Sequence, residues 1–261
     1  MAQRRPKETQ AERYERMSRD ALIGVAPGLR FGRRFLRSIP SDPRCKLCAS
    51  PFGGVGGPLM RAVGKAPWPK NPKYCSACFK QLSAHRGGAE IECSLLFADV
   101  RGSTALAEGM AATAFKELMH RFFETAAHIL FEYDAIVDKF VGDEVIGIFI
   151  PGLTGELHAR RAVEAARALL SATAPWIPVG VGVNTGIAYV GTVGEGDDTE
   201  LTAVGDPVNV TARLATAAGA GELLVTLPAA QAAAIEVTGL EHRQLELKGK
   251  SQLTEVVVLG A

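Results

Sequence analysis

The chain has 261 residues, of which 47% are hydrophobic and 22% charged, with a formal net charge of +1. This composition is typical of a globular protein with one large domain or two smaller ones, and the near-neutral charge argues against a general nucleic-acid binder. No run approaches the roughly 18 apolar residues of a membrane span, and the polar start MAQRRPKETQ lacks the apolar core of a secretory signal. We therefore expect a cytoplasmic protein without a transmembrane segment.

Residues 1–40 are predicted to form a basic, partly helical N-terminal arm. The stretch ETQAERYERMSRDALIGV has helical composition, and Thr9 is a candidate N-cap. The stretch RFGRRFLRSIP then interleaves four arginines with Phe31, Phe35 and Leu36. A solvated helix followed by a linker is the favoured interpretation, and an arm that binds lipid or a partner is the alternative.

Residues 41–88 are predicted to form a small Cys-rich, metal-binding module. Two Cys-x-x-Cys pairs, Cys45 with Cys48 and Cys75 with Cys78, enclose 26 residues dominated by glycine and proline, where we expect little regular structure. In a reducing compartment such pairs are typical of metal ligands rather than of disulfides. One structural zinc ion is the preferred interpretation, because a metal would stabilise a segment too short to bury a core. An iron–sulfur cluster and free thiols remain alternatives, since the interval is longer than in most zinc ribbons.

Residues 89–261 are predicted to form one α+β domain. It begins with an apolar strand, CSLLFADV, a helix whose Leu118, Phe122 and Ala126 share one face, a hairpin, DKFVGDEVIGIF, and a second helix, GELHARRAVEAARALLSAT. Next come two strands in IPVGVGVNTGIAYVGTVG, a third helix in GDPVNVTARLATAAGAG, and late strands in ELLVT, LEHRQLELKG and TEVVVLG. The opening order β-α-β-β-α-β is that of a ferredoxin-like core, here with extra strands and helices.

Two aspartates lie where this topology could bring them together. Asp99 follows the first strand, and Asp143 lies in the turn of the hairpin, whose strand neighbours the first in a ferredoxin-like sheet. Facing carboxylates would repel and raise one pKa, whereas two Mg²⁺ or Mn²⁺ ions would remove that cost and provide a site for phosphoryl transfer. The amides from Arg101 to Thr104 approach a helix N-terminus, which suits phosphate. Taken singly, each aspartate is equally well explained as a turn or capping residue, and Glu144 and Asp206 are interpreted in that way.

Five separated blocks of this domain resemble the class III nucleotidyl cyclases, in the family's order and at its spacing. The blocks are LLFADVRGSTALAE, DKFVGDEVIGIF, VGVGVNTGIAYVGTVG, LTAVGDPVNVTARLATAAGAGELLVT and LELKGKSQLTEVVVL. They cover about residues 92–260 and leave the N-terminal 90 residues outside the resemblance. The likeness implies the class III cyclase fold and the catalytic domain of an adenylate cyclase.

The resemblance also implies which residues would bind metal and triphosphate. Asp99 and Asp143, with the carbonyl of Val100, would bind two Mg²⁺ or Mn²⁺ ions in each active site. The loop that wraps the triphosphate would consist of Gly102, Ser103 and Thr104. These roles follow from the match to the family's motifs.

By the same resemblance, five further residues would handle the rest of the nucleotide. Asn209 and Arg213 match the pair that handles the ribose and the reacting phosphate, and Lys248 matches the lysine that holds the terminal phosphates. Lys139 and Thr202 match the two base-selecting positions. Adenine offers an acceptor at N1 and a donor at its 6-amino group, which suit a lysine and a hydroxyl, whereas the edge of guanine reverses this pattern. We therefore expect ATP to be the substrate.

The expected reaction converts ATP into 3′,5′-cyclic AMP and pyrophosphate, with Asp99, Asn209 and Arg213 as catalytic residues. Family members form their active sites between two catalytic domains, so the resemblance implies a head-to-tail homodimer with two equivalent sites. The N-terminal module is expected to regulate that dimer. Two alternatives stay open. The chain could be a regulatory module with a cyclase fold that binds nucleotide or a partner without turnover. The N-terminal cysteine module could instead be the functional part, as a nucleic-acid-binding zinc module, with no active role for the cyclase domain.

Overall fold

The computed structural model describes residues 9–26, 35–36, 38–39, 41, 43–45, 47–69, 71–83, 88–193, 200–246 and 253–260. The four arginines of RFGRRFLRSIP, together with Phe31 and Lys248, lie outside these ranges. The chain divides into two compact units, Met1–Ile91 with Tyr189–Thr202, and Glu92–Ala188 with Ala203–Ala261. The segment Tyr189–Thr202 therefore belongs to the same unit as the N-terminal residues.

Short elements make up the N-terminal part of the first unit. They are α1 (Gln10–Leu22), α2 (Gly56–Ala62), β1 (Pro67–Trp68), β2 (Asn71–Cys75) and α3 (Ser76–Ser83). The predicted cap of α1 is confirmed: Thr9 Oγ1 accepts from the Glu12 N–H at 3.2 Å, while the Glu12 carboxylate accepts from the Thr9 N–H at 2.7 Å. This reciprocal pair satisfies two backbone donors that the helix start would otherwise leave without partners.

The segment between the two cysteine pairs is more regular than its composition suggests. β1 and β2 form an antiparallel pair there, and α2 precedes them. Arg61 of α2 donates to the Phe52 carbonyl at 3.2 Å, and the ring of Trp68 stacks on Phe79 with centroids 3.6 Å apart. The expectation of little regular structure was therefore wrong, because these contacts stabilise short elements that glycine and proline alone disfavour.

The chain then continues through the elements of the main sheet. These are β3 (Gly88–Val100), α4 (Ser103–Gly109), α5 (Ala112–Glu132), β4 (Ile136–Val141), β5 (Glu144–Phe149), α6 (Pro151–Thr154), a 3₁₀ turn (Gly155–Leu157), α7 (His158–Thr173), β6 (Val179–Val193), β7 (Glu200–Val204), α8 (Asp206–Ala217), β8 (Leu223–Thr226), α9 (Leu227–Ala232), β9 (Glu241–Leu245) and β10 (Thr254–Leu259). None of the helices in the described ranges is long and apolar enough to cross a membrane.

The strand order explains how the two aspartates come together. The sheet runs β4-β5-β3-β6-β8-β10-β9, with β7 beside β6. β5 is antiparallel to both β3 and β4, whereas β6 and β8 are parallel. Taken as the four strands of a βαββαβ unit, β3, β4, β5 and β6 have the order of a ferredoxin-like sheet. The predicted α+β fold class is thus confirmed.

The main core lies between the sheet and the helices α5 and α7. On α5, Phe122 and Ala126 are fully buried and Leu118 packs against the same cluster, as the periodicity of the sequence predicts. Leu169 of α7 is also fully buried there. This packing holds the ends of β3 and β5 in a fixed position, which the residues at those ends require.

Helix α8 packs unusually close to β6, at Gly182. A Cβ atom at Gly182 would lie 2.6 Å from Leu214 Cβ and 2.8 Å from the Thr211 carbonyl oxygen. Only glycine permits this approach. The helix that carries Asn209 and Arg213 is therefore seated directly on the sheet.

Candidate active site and cysteine cluster

Three carboxylates meet at one end of the β3–β5 pair. Asp99, the penultimate residue of β3, lies opposite Glu144, the first residue of β5. Asp143 precedes Glu144 in the turn, where Gly142 takes a φ of +62°. The Val100 N–H donates to the Asp143 carbonyl at 3.3 Å, which ties this turn to the end of β3. The structure therefore brings Asp99 and Asp143 together, and it adds Glu144, which the sequence had suggested was a turn or capping residue.

We call Asp99, Asp143 and Glu144 the acidic cluster. The positive charge near them is too small to balance three carboxylates. Burial is the largest cause that raises the pKa of Glu144, to about 7, and the charges of Asp99 and Asp143 add to it. Burial likewise raises the pKa of Asp99, and Asp143 contributes through its charge and a hydrogen bond between the carboxyls. Grouped carboxylate oxygens that destabilise one another's charged forms are the donor set that a divalent cation prefers. Asp99 and Asp143, whose carboxyl groups are close enough to form a hydrogen bond, could thus supply two oxygen ligands to a divalent metal ion.

Arg101 is the cation that the fold places on this cluster. One Nη atom donates to the Asp99 carboxylate, and Nη1 donates to the Thr216 carbonyl at 2.8 Å. The positive charge opposes the rise in pKa of both Asp99 and Glu144. The sequence suggested only that the Arg101 amide approaches phosphate, because backbone pattern gives no information about where a long side chain turns back.

Asn209 and Arg213 lie four residues apart on α8, so they share one face of that helix. Asn209 is exposed and Arg213 is partly buried. Within the described ranges, Arg213 forms no ion pair with the acidic cluster, whose Asp99 is bonded to Arg101 instead. One copy of the chain therefore does not join the two predicted groups of active-site residues.

The remaining predicted nucleotide ligands occupy three separate elements. Lys139 lies in β4 with its side chain 40% exposed, and its Nζ is 3.8 Å from Asp138 Oδ1. Thr202 lies in β7 and is buried. The loop prediction covers Gly102, whose φ is +69°, with Ser103 and Thr104 in the first turn of α4. Lys248 lies outside the described residues.

A cleft of about 850 Å³, which no sequence pattern predicted, adjoins the start of α8. Its walls include Asp206 and Pro207 of α8, Thr226 at the end of β8, and Asn184 of β6. The Asn184 side chain is buried; its amide donates to the Pro207 carbonyl at 3.2 Å, and its carbonyl accepts from Thr226 Oγ1 at 2.8 Å. Asn184 therefore fixes the start of the helix that carries Asn209.

A buried polar network ties β3, α7 and β6 together. Ser94 Oγ lies 2.9 Å from His158 Nδ1 and 2.6 Å from Thr185 Oγ1, and His158 Nε2 lies 3.6 Å from a Glu92 carboxylate oxygen. Burial lowers the pKa of His158, and the charge of Glu92 opposes that shift. His158 therefore has a structural role, because it joins the start of α7 to β3.

The four cysteines of the first unit form a compact buried cluster. The sulfur atoms of Cys45, Cys48, Cys75 and Cys78 all lie within 4.8 Å of one another, and the Cys48 and Cys75 sulfurs are 3.7 Å apart. Two backbone amides donate to sulfur: Cys75 N–H to Cys45 Sγ at 3.2 Å, and Cys78 N–H to Cys75 Sγ at 3.4 Å. A hydrogen bond with Cys45 is the largest cause that lowers the pKa of Cys75, to about 7, and it also lowers the pKa of Cys48.

Each cysteine pair lies in a tight turn that local backbone bonds define. At the first pair, the Cys45 N–H donates to the Ser50 carbonyl at 2.9 Å, and the Ala49 N–H donates to the Cys45 carbonyl at 2.8 Å. At the second pair, β2 ends at Cys75 and α3 begins at the next residue, which places Cys78 in the first turn of the helix. The four thiols could hold a metal ion, as the spacing predicts.

Sequence comparison relates most of the chain to one family. Residues 89–260 match the family model for the adenylate and guanylate cyclase catalytic domain. An uncharacterised protein of Mycobacterium tuberculosis is 33% identical over 131 residues, which are 49% of this chain and 24% of that protein. A second uncharacterised protein of the same organism is 31% identical over 175 residues, 64% of this chain and 32% of that protein. The chain thus spans about a quarter to a third of the length of these relatives.

Structure comparison finds the same fold in solved cyclases. The adenylyl cyclase CyaB from P. aeruginosa is 26% identical with a TM-score of 0.60, covering 67% of this chain and 96% of that chain. The guanylyl cyclase Cya2 is 24% identical with a TM-score of 0.60, covering 66% of this chain and 94% of that chain. Since cyclases of both kinds share this fold, the choice of nucleotide has to be argued from the residues of this chain.

Proposed function

Because the chain belongs to the adenylate and guanylate cyclase catalytic domain family, it carries a nucleotide cyclase domain, and we propose that it converts ATP into 3′,5′-cyclic AMP and pyrophosphate. The observation that supports this proposal is the proximity of Asp99, at the end of β3, to Asp143, in the turn before β5. These are the two residues that match the family's metal-binding motif. Two divalent ions there, Mg²⁺ or Mn²⁺, would favour ionisation of the ribose 3′-hydroxyl and offset the charge of the phosphates.

The chain's own residues would position the nucleotide and stabilise the charge that develops. Asn209, exposed on α8, would orient the ribose, so that the 3′-oxygen lies in line with the α-phosphorus. Arg213, one helical turn further on, would stabilise the added negative charge on the α-phosphate as pyrophosphate leaves. Asp99 or water would accept the proton of the 3′-hydroxyl. The triphosphate would be held by the loop of Gly102, Ser103 and Thr104 and by Lys248. The carbonyl oxygen of Val100 would be a ligand of one of the metal ions.

Two residues support ATP rather than GTP. Lys139 would donate to N1 of adenine, and the Thr202 hydroxyl would accept from the 6-amino group. The ammonium group of Lys139 would instead face the N1–H donor of guanine, and a polar group left unpaired in a buried site strongly disfavours the wrong base. The chemistry of these two side chains therefore favours ATP.

The site is proposed to be shared by two copies arranged head to tail. Asp99 and Asp143 of one copy would face Asn209 and Arg213 of the other, because Arg213 has no partner in the acidic cluster of its own chain within the described ranges. Exposed apolar residues beside the acidic turn, Phe140 at 46% and Val141 at 50%, suit a surface that another copy covers. Mixing an Asp99→Ala chain with an Arg213→Ala chain tests this arrangement: recovered activity supports shared sites, and an inactive mixture contradicts them.

Purified protein incubated with ATP or GTP, in Mg²⁺ or Mn²⁺, provides the direct test. We expect cyclic AMP to form, GTP to be a poor substrate, and Asp99→Ala to abolish the product. Binding of ATP without any turnover would support the alternative, a regulatory module with a cyclase fold. Cyclic GMP as the main product would overturn the assignment of Lys139 and Thr202.

For the cysteine cluster we propose one structural zinc ion. Four sulfurs in a tetrahedron around one ion, each at about 2.3 Å, are about 3.8 Å apart, and the Cys48 and Cys75 sulfurs are separated by 3.7 Å. Clusters with several iron atoms need a wider opening than a single ion does, so this spacing favours zinc. Elemental mass spectrometry should find one zinc per chain, and iron with visible absorption would overturn the assignment.

A further inference from the structure

The side chain of Arg101 is held at three points around the acidic end of β3. Its guanidinium bonds the Asp99 carboxylate, Nε lies 3.4 Å from the Asp99 carbonyl oxygen, and Nη1 donates to the Thr216 carbonyl at 2.8 Å. Its backbone N–H donates to the Pro178 carbonyl at 2.8 Å. With 21% of the side chain exposed, the guanidinium is largely buried against the site rather than extended into solvent.

The ion pair between Arg101 and Asp99 matters because the acidic cluster carries an excess of negative charge. Asp99, Asp143 and Glu144 carry up to three negative charges in a partly buried place, and burial together with their mutual repulsion disfavours those charges. Within the described part of the chain, Arg101 is the only Lys or Arg that forms an ion pair with them. A guanidinium remains charged at every physiological pH, so a change of pH cannot release it from the cluster.

A divalent ion bound to Asp99 would share the carboxylate group with this guanidinium, which is bonded to one of its two oxygen atoms. Metal ligation brings a carboxylate oxygen to about 2.0–2.6 Å from the ion, and an oxygen already bonded to Arg101 faces a second positive charge nearby. The other side-chain contacts of Arg101 are with two neutral carbonyl oxygens, at Asp99 and Thr216. Once Asp99 is taken by a stronger cation, little holds the guanidinium in place.

We propose that Arg101 is a removable counter-ion of the acidic cluster, which neutralises Asp99 in the metal-free protein and is displaced by the entering divalent ion, so that Arg101 sets the metal concentration at which the site fills. The proposal rests on the metal-binding role of Asp99 in the proposed function. It predicts that the metal-free site is stabilised at the expense of metal affinity. An ion delivered together with the nucleotide would overcome that penalty most easily, because the phosphates add ligands of their own.

The proposal is tested by measuring Mn²⁺ binding to the full chain in the absence of nucleotide. The electron paramagnetic resonance signal reports the concentration of free Mn²⁺. Arg101→Met removes the charge and keeps the length of the side chain, and it should bind Mn²⁺ about ten-fold more tightly than wild type, as removal of a charge-assisted bond predicts. Arg101→Lys keeps the charge and should stay close to wild type. Arg160→Met, on the outer face of α7 where Arg160 pairs with Glu164, should leave the affinity unchanged.

Two further measurements test the proposal, and the second does not require Arg101→Met to fold. Saturating Mn²⁺ should raise the melting temperature of Arg101→Lys and of wild type by similar amounts, and that of Arg101→Met by more. In wild type, Mg²⁺ should shift the side-chain Nε–H resonance of Arg101, which its loss in Arg101→Lys identifies. An unmoved resonance at saturating Mg²⁺ would overturn the displacement.

The outcomes separate this proposal from the proposed function. Equal or weaker Mn²⁺ binding by Arg101→Met, alongside normal cyclic AMP synthesis by wild type, overturns the counter-ion and leaves the cyclase intact. Tighter binding by Arg101→Met in a protein that does not cyclise ATP supports the counter-ion and overturns the cyclase. Asp99→Asn should lose the Mn²⁺ site in every background, and binding that survives this change would place the metal elsewhere and overturn the counter-ion as well.

Discussion

Asp99 and Glu144 face each other across the antiparallel pair of β3 and β5, with Asp143 in the turn beside them. Like charges directly opposite in a sheet are destabilising. Grouped carboxylates that lower the stability of the folded protein are expected where they bind a cation. The acidic cluster is such a group.

Glu144→Gln should therefore stabilise the metal-free protein. Removing one of three grouped negative charges should raise the free energy of unfolding by about 1 kcal/mol, measured by urea denaturation at pH 8 with a chelator present. Glu117→Gln, on the exposed face of α5, should change it by less than about 0.5 kcal/mol. A destabilised Glu144→Gln protein would show that Glu144 makes a favourable contact instead.

Nucleotide choice should respond to Lys139 and Thr202. Lys139→Glu combined with Thr202→Cys supplies the residue types with which the family reads guanine. The ratio of kcat/KM for ATP to that for GTP should fall by at least about ten-fold, because the exchanged groups reverse the hydrogen-bonding pattern. Lys116→Glu makes the same change of charge at an exposed position on α5 and should leave the ratio unchanged. An unaltered ratio in the double variant would remove both residues from base recognition.

The buried network at His158 should make stability depend on pH. Burial lowers the pKa of His158 below its unfolded value near 6.5, so the unfolded chain binds a proton first as pH falls. The contribution of His158 to the free energy of unfolding should be fully present above pH 6.5. It should decrease below that pH, by at most about 1.4 kcal/mol per pH unit for one proton. Glu92, the charged group near His158, works against this trend.

Urea denaturation of His158→Gln between pH 5 and 8 checks that dependence. The variant should have a flatter profile than wild type below pH 6.5. His120→Gln, which alters an exposed histidine beside Glu124 on α5, should keep the wild-type slope. Parallel profiles for wild type and His158→Gln would contradict the assignment.

The cysteine cluster should depend on all four of its thiols. Cys75→Ser should lose the metal and lower the melting temperature, because a structural metal contributes directly to folding. Cys93→Ser is the matched control: Cys93 is buried in β3, outside the cluster, and its loss should leave one zinc per chain. Cyclase rates measured on the same samples test regulation by the N-terminal module, and an unchanged rate in metal-free Cys75→Ser would argue against it.

Sequence pattern was sufficient for the order of the main elements and for the meeting of Asp99 with Asp143, since both follow from the βαββαβ topology. It was wrong for IPVGVGVNTGIAYVGTVG, where two strands and a turn were expected and β6 instead runs as one strand over Val179–Val193. The polar residues that suggested a turn, Asn184 and Thr185, are buried and bonded to neighbouring elements.

Sequence pattern did not reveal Glu144, because membership of the acidic cluster depends on the register of β5 against β3. Arg101 could not be found either, since a long side chain can turn toward solvent or back toward its own strand. The regular structure between the two cysteine pairs depends on specific side-chain contacts that composition does not reveal, such as the bond from Arg61 to Phe52 and the stacking of Trp68 on Phe79.

Gly182 illustrates how a residue can matter to chemistry that it never touches. Judged by strand preference alone, alanine or valine at this position would look like an improvement. Either would push against Leu214 and Thr211 and move the helix outward. Asn209 and Arg213 would move with it, so the placement of both side chains depends on the absence of a methyl group at residue 182.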